Sequence, residues 1–223
     1  MKIVLIFIAA LFAQLAQAGC PQFFPLGKTI SVPNSVELCN SFYAVKYDTS
    51  RNEPIISVEK FRAGNHPERL NDFHPDLRLD VATRAEKSDY LHAGYDQGHM
   101  TPAGDSINVA EMHDTFLLSN MTPQEPTLNR TAWRVLEIEV RKDNPDYVVT
   151  GAIYSPMPDT RFTPHSIGIH HVPVPVGYYK LTWKGCVISA WYAANKPHAQ
   201  VDISTVEDIE NLSDLKFPRC EVK

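Results

Sequence analysis

Tyr95-Asp96-Gln97-Gly98-His99-Met100-Thr101-Pro102-Ala103-Gly104-Asp105 is the stretch on which the reading of this chain turns. A histidine follows directly on a glycine, with acids at Asp96 and Asp105 and a proline at Pro102. Gly98 leaves the backbone free to take a geometry that projects the ring into a cleft. An imidazole titrating near pH ~6.5 is partly neutral at physiological pH, as a general base must be. Any one of the nine histidines taken blindly is more often packed or hydrogen-bonded in a loop; the company of His99 is what favours chemistry. That company is Phe116-Leu117-Leu118-Ser119-Asn120-Met121-Thr122-Pro123-Gln124 and then Leu128-Asn129-Arg130-Thr131-Ala132-Trp133.

Working outward, the stretch from Asn129 to Lys142 places Trp133, Leu136 and Val140 at helical spacing, with Ala132 and Val135 widening the apolar face. Ser204 with Glu207 has the capping-box pattern that opens a second helix over Thr205 to Leu215. Strands are expected over 41–47 and 54–59, with a turn between them, and over 147–154, whose lack of alternation suits a central strand. Gly177 to Ala194 reads as a hairpin turning at Lys184-Gly185. Residues 19–40 read as a disulfide-tied loop and 63–93 as irregular. Hairpin-connected strands at both ends with helices between them indicate an α+β fold with a central antiparallel sheet flanked by helices.

The first eighteen residues read as a secretion signal: Lys2, an apolar run from Ile3 to Phe12, and small residues at Ala16 and Ala18. Cleavage after Ala18 leaves a single domain over 19–223 in a secreted or periplasmic protein, with no stable membrane insertion. A lipoprotein anchored through Cys20 is the lesser alternative, since Gln17 stands where a lipobox prefers an aliphatic residue. The four cysteines allow three connectivities; Cys20–Cys39 with Cys186–Cys220 is favoured because each closes a short loop near one terminus. The net charge of −5 argues against a tight nucleic-acid-binding module. It argues less against an enzyme, because Arg130, Arg134, Arg141 and Lys142 cluster beside the candidate site.

These residue types suit phosphodiester hydrolysis. His99 is the candidate base. Asn129 can offer a neutral oxygen to Mg²⁺, a hard cation that keeps most of its waters; the alternative is that Asn129 simply caps its helix. Glu137 and Arg141, four apart, can meet as an ion pair, or can orient a metal-bound water and contact phosphate. Asn120 is either a turn residue or a supporting partner of the site. A zinc centre on His170-His171 is disfavoured, because adjacent histidines on a strand point apart.

Taken together, Asp96-x-Gly98-His99, Pro102, Asp105, Leu118-Ser119-Asn120-x-x-Pro123-Gln124, Leu128-Asn129-x-x-x-Trp133 and Leu136-Glu137 resemble the DNA/RNA non-specific endonuclease family of ββα-metal nucleases. Weaker echoes follow in Thr150-Gly151 and Val174-Pro175-x-x-Tyr178-x-Lys180, so that the likeness spans residues 40–215. The resemblance implies a ββα-metal active-site element with His99 as general base and Asn129 as the direct ligand of one Mg²⁺, with Mn²⁺ as a substitute. It implies that Glu137 positions a metal-bound water, that Arg141 neutralises phosphate and that Asn120 supports the site. The implied substrates are DNA and RNA, cut to leave 5′-phosphate ends; a homodimer and an inhibitor protein are left open as partners. Gln97 stands where the family most often has arginine. Lower activity, compensation by Arg62, Arg84 or Arg134, and a shifted preference are the open explanations. The alternatives to a polymer nuclease are a metal-dependent phosphodiesterase on small nucleotides and a catalytically weakened nucleic-acid-binding homologue.

Overall fold

The computed structural model describes residues 19–154 and 166–221; the proposed leader, 1–18, lies outside the described residues. In chain order the strands and helices are β1 (Ser35–Cys39), β2 (Tyr43–Asp48), β3 (Glu53–Lys60), α1 (Lys87–Tyr90), β4 (Asp96–His99), α2 (Val109–Thr115) and β5 (Met121–Gln124). Then come α3 (Pro126–Leu128), a π-type turn over Asn129–Trp133, α4 (Arg134–Asp143), β6 (Tyr147–Ile153), β7 (Ser166–Ile167) and β8 (Val172–Pro173). The chain continues through β9 (Gly177–Lys184), β10 (Val187–Ala194), β11 (Asp202–Ser204) and α5 (Val206–Ser213). Seven strands form one antiparallel sheet in the order β1-β2-β3-β6-β9-β10-β11. The expected α+β architecture is what the chain adopts.

The sheet's middle is buried on both faces, which is why the 147–153 run carries so little alternation. On one face Val148, Ala152 and Tyr178 pack with Trp133, Leu136 and Val140 of the long helix. On the other, Val149, Tyr179, Leu181 and Trp183 pack with Ile209 of α5 and with Phe24 from the N-terminal segment. Val135, expected on the apolar face, is instead exposed. The hairpin β9–β10 pairs Lys184 with Val187 around a tight turn in which Gly185 takes φ +58°, the left-handed conformation that glycine tolerates best.

Three details depart from expectation. Residues 35–39 form an edge strand rather than loop, because their backbone finds a partner in β2, register Val36 to Tyr47. Thr205, not Ser204, caps α5: its hydroxyl accepts from the Asp208 N–H at 3.1 Å. The long helix starts earlier than Asn129, at Pro126, and its cap is Glu125, whose carboxylate accepts from the Leu128 N–H at 2.7 Å. Asn129 is therefore inside the helix and owes nothing to capping. The cysteines pair as Cys20–Cys39 and Cys186–Cys220, with Cα atoms 5.9 and 5.6 Å apart. A Cys20 sulfur so paired is not a free thiol for lipidation. Among the described residues no helix is long and apolar enough to cross a bilayer.

Candidate active site

β4 and β5 pair antiparallel, with Gly98 opposite Thr122 and His99 opposite Met121, and the Pro126–Asp143 helical run follows directly. This ββα arrangement rests on close backbone approach at Gly98. A Cβ there would lie 2.4 Å from Gln124 Oε1 and 2.5 Å from its Cβ. Gly98 is thus required by contact with the neighbouring strand, not by an unusual φ as the sequence suggested.

The helix presents two interleaved stripes. Trp133, Leu136 and Val140 go to the core, while Arg130, Arg134, Glu137 and Arg141 line a cleft of about 510 Å³ together with Asn129, His99, Gln97 and Arg69. In a straight α-helix, residues eight apart are rotated by roughly 80°. The π-type turn over Asn129–Trp133 uses one more residue than an α turn and removes most of that offset, so that Asn129 and Glu137 share one face.

His99 is held by rings. Phe116 meets it edge-on with centroids 5.0 Å apart, and Phe73 lies tilted at 5.8 Å. Among the described residues no group hydrogen-bonds to the imidazole, and its buried Nε2 has no partner. Burial, helped by the positive charge of Arg69, pushes the imidazole down to about 3, so the ring is neutral at physiological pH. Arg69 itself lies over the Phe116 ring, its guanidinium carbon 5.1 Å from the ring centroid.

Asp96 organises the side of the cleft that carries Asn129. Its carboxylate accepts from Asn129 Nδ2 at 2.9 Å and from Arg130 Nε and Nη2 at 2.9 and 2.6 Å. A carboxylate can only accept, so the amide group of Asn129 is oriented and its carbonyl oxygen is left for the cleft. Glu137 has no ion-pair partner among the described residues; of the two readings, the i,i+4 pair with Arg141 is not made, because Arg141 donates to the buried Asp105 at 2.8 Å. Burial raises Glu137 to about 7 against the pull of Lys180, while Asp105 adds to the rise and Arg141 and Arg69 oppose it.

Beneath the helix, Lys180 is buried, donates to Thr150 Oγ1 and sits 5.4 Å from the Trp133 ring centroid. Burial holds its ammonium below its usual range and pushes Glu59 well above the carboxylate range, where the facing Asp105 adds to the rise.

His99, Gln97, Asn129, Arg134, Glu137 and Arg141 therefore come together as expected. Asn120 does not enter the cleft. It is fully buried, donates to the carbonyls of Thr101 and Thr115 at 2.9 Å and accepts from the Thr101 N–H, also at 2.9 Å. It holds the chain that leaves His99, a positioning role. Arg62 and Arg84 cannot stand in for an arginine at 97: they are paired with Glu111 and Glu86 away from the cleft. The cation that was missed is Arg69, which lies in an irregular stretch without a motif. His170 Nδ1 is 2.9 Å from Asp89, and His171 sits in a turn at φ +51° rather than on a strand.

A family model described as DNA/RNA non-specific endonuclease matches residues 22–221. Mitochondrial endonuclease G of Bos taurus is 32% identical over 152 residues, covering 62% of this chain and 51% of that protein. Mitochondrial nuclease EXOG of Xenopus laevis is 30% identical over 200 residues, covering 78% and 56%. The chain thus spans about half the length of the curated relatives it matches. A chain in the crystal structure of the EndoG/EndoGI complex aligns with a TM-score of 0.71 at 26% identity, covering 81% of this chain and 84% of that one.

Proposed function

Because the chain belongs to the DNA/RNA non-specific endonuclease family, we propose that it hydrolyses phosphodiester bonds in DNA and RNA with His99 as base and one Mg²⁺ held by Asn129. The observation that carries this reading is the convergence of an unpartnered neutral imidazole, an oriented amide oxygen and the Glu137 carboxylate on one arginine-lined cleft. The donors fit the ion: they are hard oxygens, few in number, and leave room for water and phosphate. When bound, Mg²⁺ (or Mn²⁺) would supply Lewis acidity to the phosphate and stabilise the departing oxygen.

The protein's own residues do the rest. His99 takes a proton from water as the oxygen attacks phosphorus; the P–O3′ bond breaks, the 3′ oxygen is protonated from solvent, and a 5′-phosphate end remains. An imidazole at about 3 is a weak base in the free protein. An arriving phosphodiester anion offsets Arg69 and raises its basicity where it is needed. Arg134, Arg141 and Gln97 contact the phosphate, with Arg69 supplying the charge that Gln97 lacks, and Glu137 would orient water beside the ion when one is held there. The row Arg130, Arg134 and Arg141 along one helix face favours a polymer over a small diester.

Residues 1–18 act as an export leader on this reading, and the two cysteine pairs support an oxidising destination. An inhibitor protein is a reasonable partner class, given the EndoG/EndoGI complex. The test is incubation with plasmid DNA, RNA and a small chromogenic diester, with and without EDTA. Metal-dependent cleavage of both polymers, far faster than of the diester, is expected. Preference for the diester, or retention of polymer without cleavage in Mg²⁺, refutes the proposal.

A further inference from the structure

Asp72, His74 and His113 each place a ligand atom within 4.8 Å of the other two. The main chain sets this spacing: the His74 N–H donates to the Phe116 carbonyl at 3.1 Å, and the His74 carbonyl accepts from the Leu118 N–H at 2.8 Å. The segment carrying Asp72 and His74 is thereby fixed beside α2, which carries His113. The two imidazoles stack with centroids 4.2 Å apart at 29°, and His113 Nε2 is 3.4 Å from Asp72 Oδ2. A surface ion pair accounts for the second contact but not for the stack.

The tautomer of His74 is determined by its neighbour. Nδ1 lies 2.6 Å from the Asp72 carbonyl oxygen, which can only accept. Nδ1 therefore carries the proton, and Nε2 of the neutral ring keeps its lone pair. One ring nitrogen donating to a carbonyl while the other stays free is the arrangement that orients histidine ligands in metal sites. The Asp72 and His113 side chains are 54% and 50% exposed, so an ion with its waters can reach them.

We propose that Asp72, His74 and His113 form a second metal site, for a transition-metal ion of the Zn²⁺ class, with water completing four ligands. Two imidazoles and a carboxylate suit Zn²⁺, whereas Mg²⁺ keeps to oxygen ligands. Tetrahedral Zn²⁺ brings its ligand atoms to about 3.3 Å from one another, a contraction that side-chain rotation at the exposed Asp72 and His113 supplies. The site is separate from the Asn129 cleft but abuts it. Phe73 lies between two of its ligands and Phe116 three residues beyond the third, and these are the rings that wall His99. A bound ion would clip together the two segments that carry that wall.

Calorimetric titration of the whole chain with ZnCl₂ in excess Mg²⁺ at pH 7.5 tests this. One Zn²⁺ per chain is expected, with affinity at least tenfold weaker in His113→Ala and unchanged in His99→Ala. At tenfold excess over Kd, Zn²⁺ should raise Tm by roughly 3–5 °C in the wild type and not in His113→Ala. His113 is half-exposed, so its replacement does not endanger folding. Absence of binding, undiminished affinity in His113→Ala, or loss of binding in His99→Ala overturns the assignment.

Discussion

The neutral imidazole of His99 makes a quantitative claim about stability. In the unfolded chain a histidine titrates near ~6.5; in the folded protein burial and Arg69 hold this one at about 3. Its contribution is present in full above pH ~6.5 and is lost as pH falls toward the folded value, because the unfolded state takes up a proton that the folded state refuses. Between pH 7.5 and 4.5 the loss amounts to about 2.7 kcal/mol, two pH units below ~6.5 at 1.36 kcal/mol each. The figure barely changes if the folded value is nearer 4, since both lie below the window. His99→Gln removes this linkage. Its packing cost between Phe73 and Phe116 is the same at both pH values and cancels in the difference. Four urea denaturation curves followed by tryptophan fluorescence, wild type and variant at each pH, read the effect. The wild type should lose about 2.7 kcal/mol more than the variant on acidification, while the variant is inactive at every pH. A difference under about 1 kcal/mol would mean that the ring is not held neutral by its surroundings, and active His99→Gln would end its role as base.

Asn129→Ala should lower activity through metal affinity by about 10–100-fold, with excess Mg²⁺ restoring part of it; no recovery at any metal concentration removes the ligand role. Arg69→Ala should slow cleavage and raise the His99 pKa toward the ordinary range, read from the NMR titration of the ring proton; an unmoved pKa refutes the electrostatic link. Gly98→Ala forces β4 from β5 and should cost about 1–3 kcal/mol, seen as a lower Tm with reduced activity, and a wild-type melt would show the strands to be more pliant than the contact distances indicate. Glu137, at about 7 without metal, must lose its proton to act, so the acid limb of the rate profile should move to lower pH as Mg²⁺ rises; a limb indifferent to metal argues against its place beside the ion.

The ββα element was legible in the chain because its chemistry needs particular residue types at short spacing, and His99, Asn129, Glu137 and Arg141 stand within forty-three positions. The sheet was legible where hydrophobic runs were long, as in 147–154 and 177–194. Arg69 was not, since it comes from an irregular segment whose course is decided by contacts with Phe116 and Asn71 rather than by local pattern. Gly98 was read for the wrong reason because a cross-strand approach to Gln124 leaves no mark in sequence beyond the glycine itself. The partner of Arg141 was not legible for a similar reason: the i,i+4 rule offers Glu137, but the carboxylate that Arg141 meets, Asp105, arrives from thirty-six residues earlier in the chain. Lys180 inside an otherwise apolar hairpin strand was a readable sign of buried charge that the pattern alone could not connect to Glu59.

A helix that gives one stripe of side chains to the core and another to the cleft ties the shape of the cleft to global unfolding. Loosening Arg130, Arg134, Glu137 and Arg141 means lifting Trp133, Leu136 and Val140 from the sheet. Hydrogen exchange should therefore find the amides of this segment among the most slowly exchanging in the molecule, opening together with β6 and β9 rather than in a smaller local event. Mild denaturant would then leave a fully competent population that shrinks, instead of a uniformly weakened one.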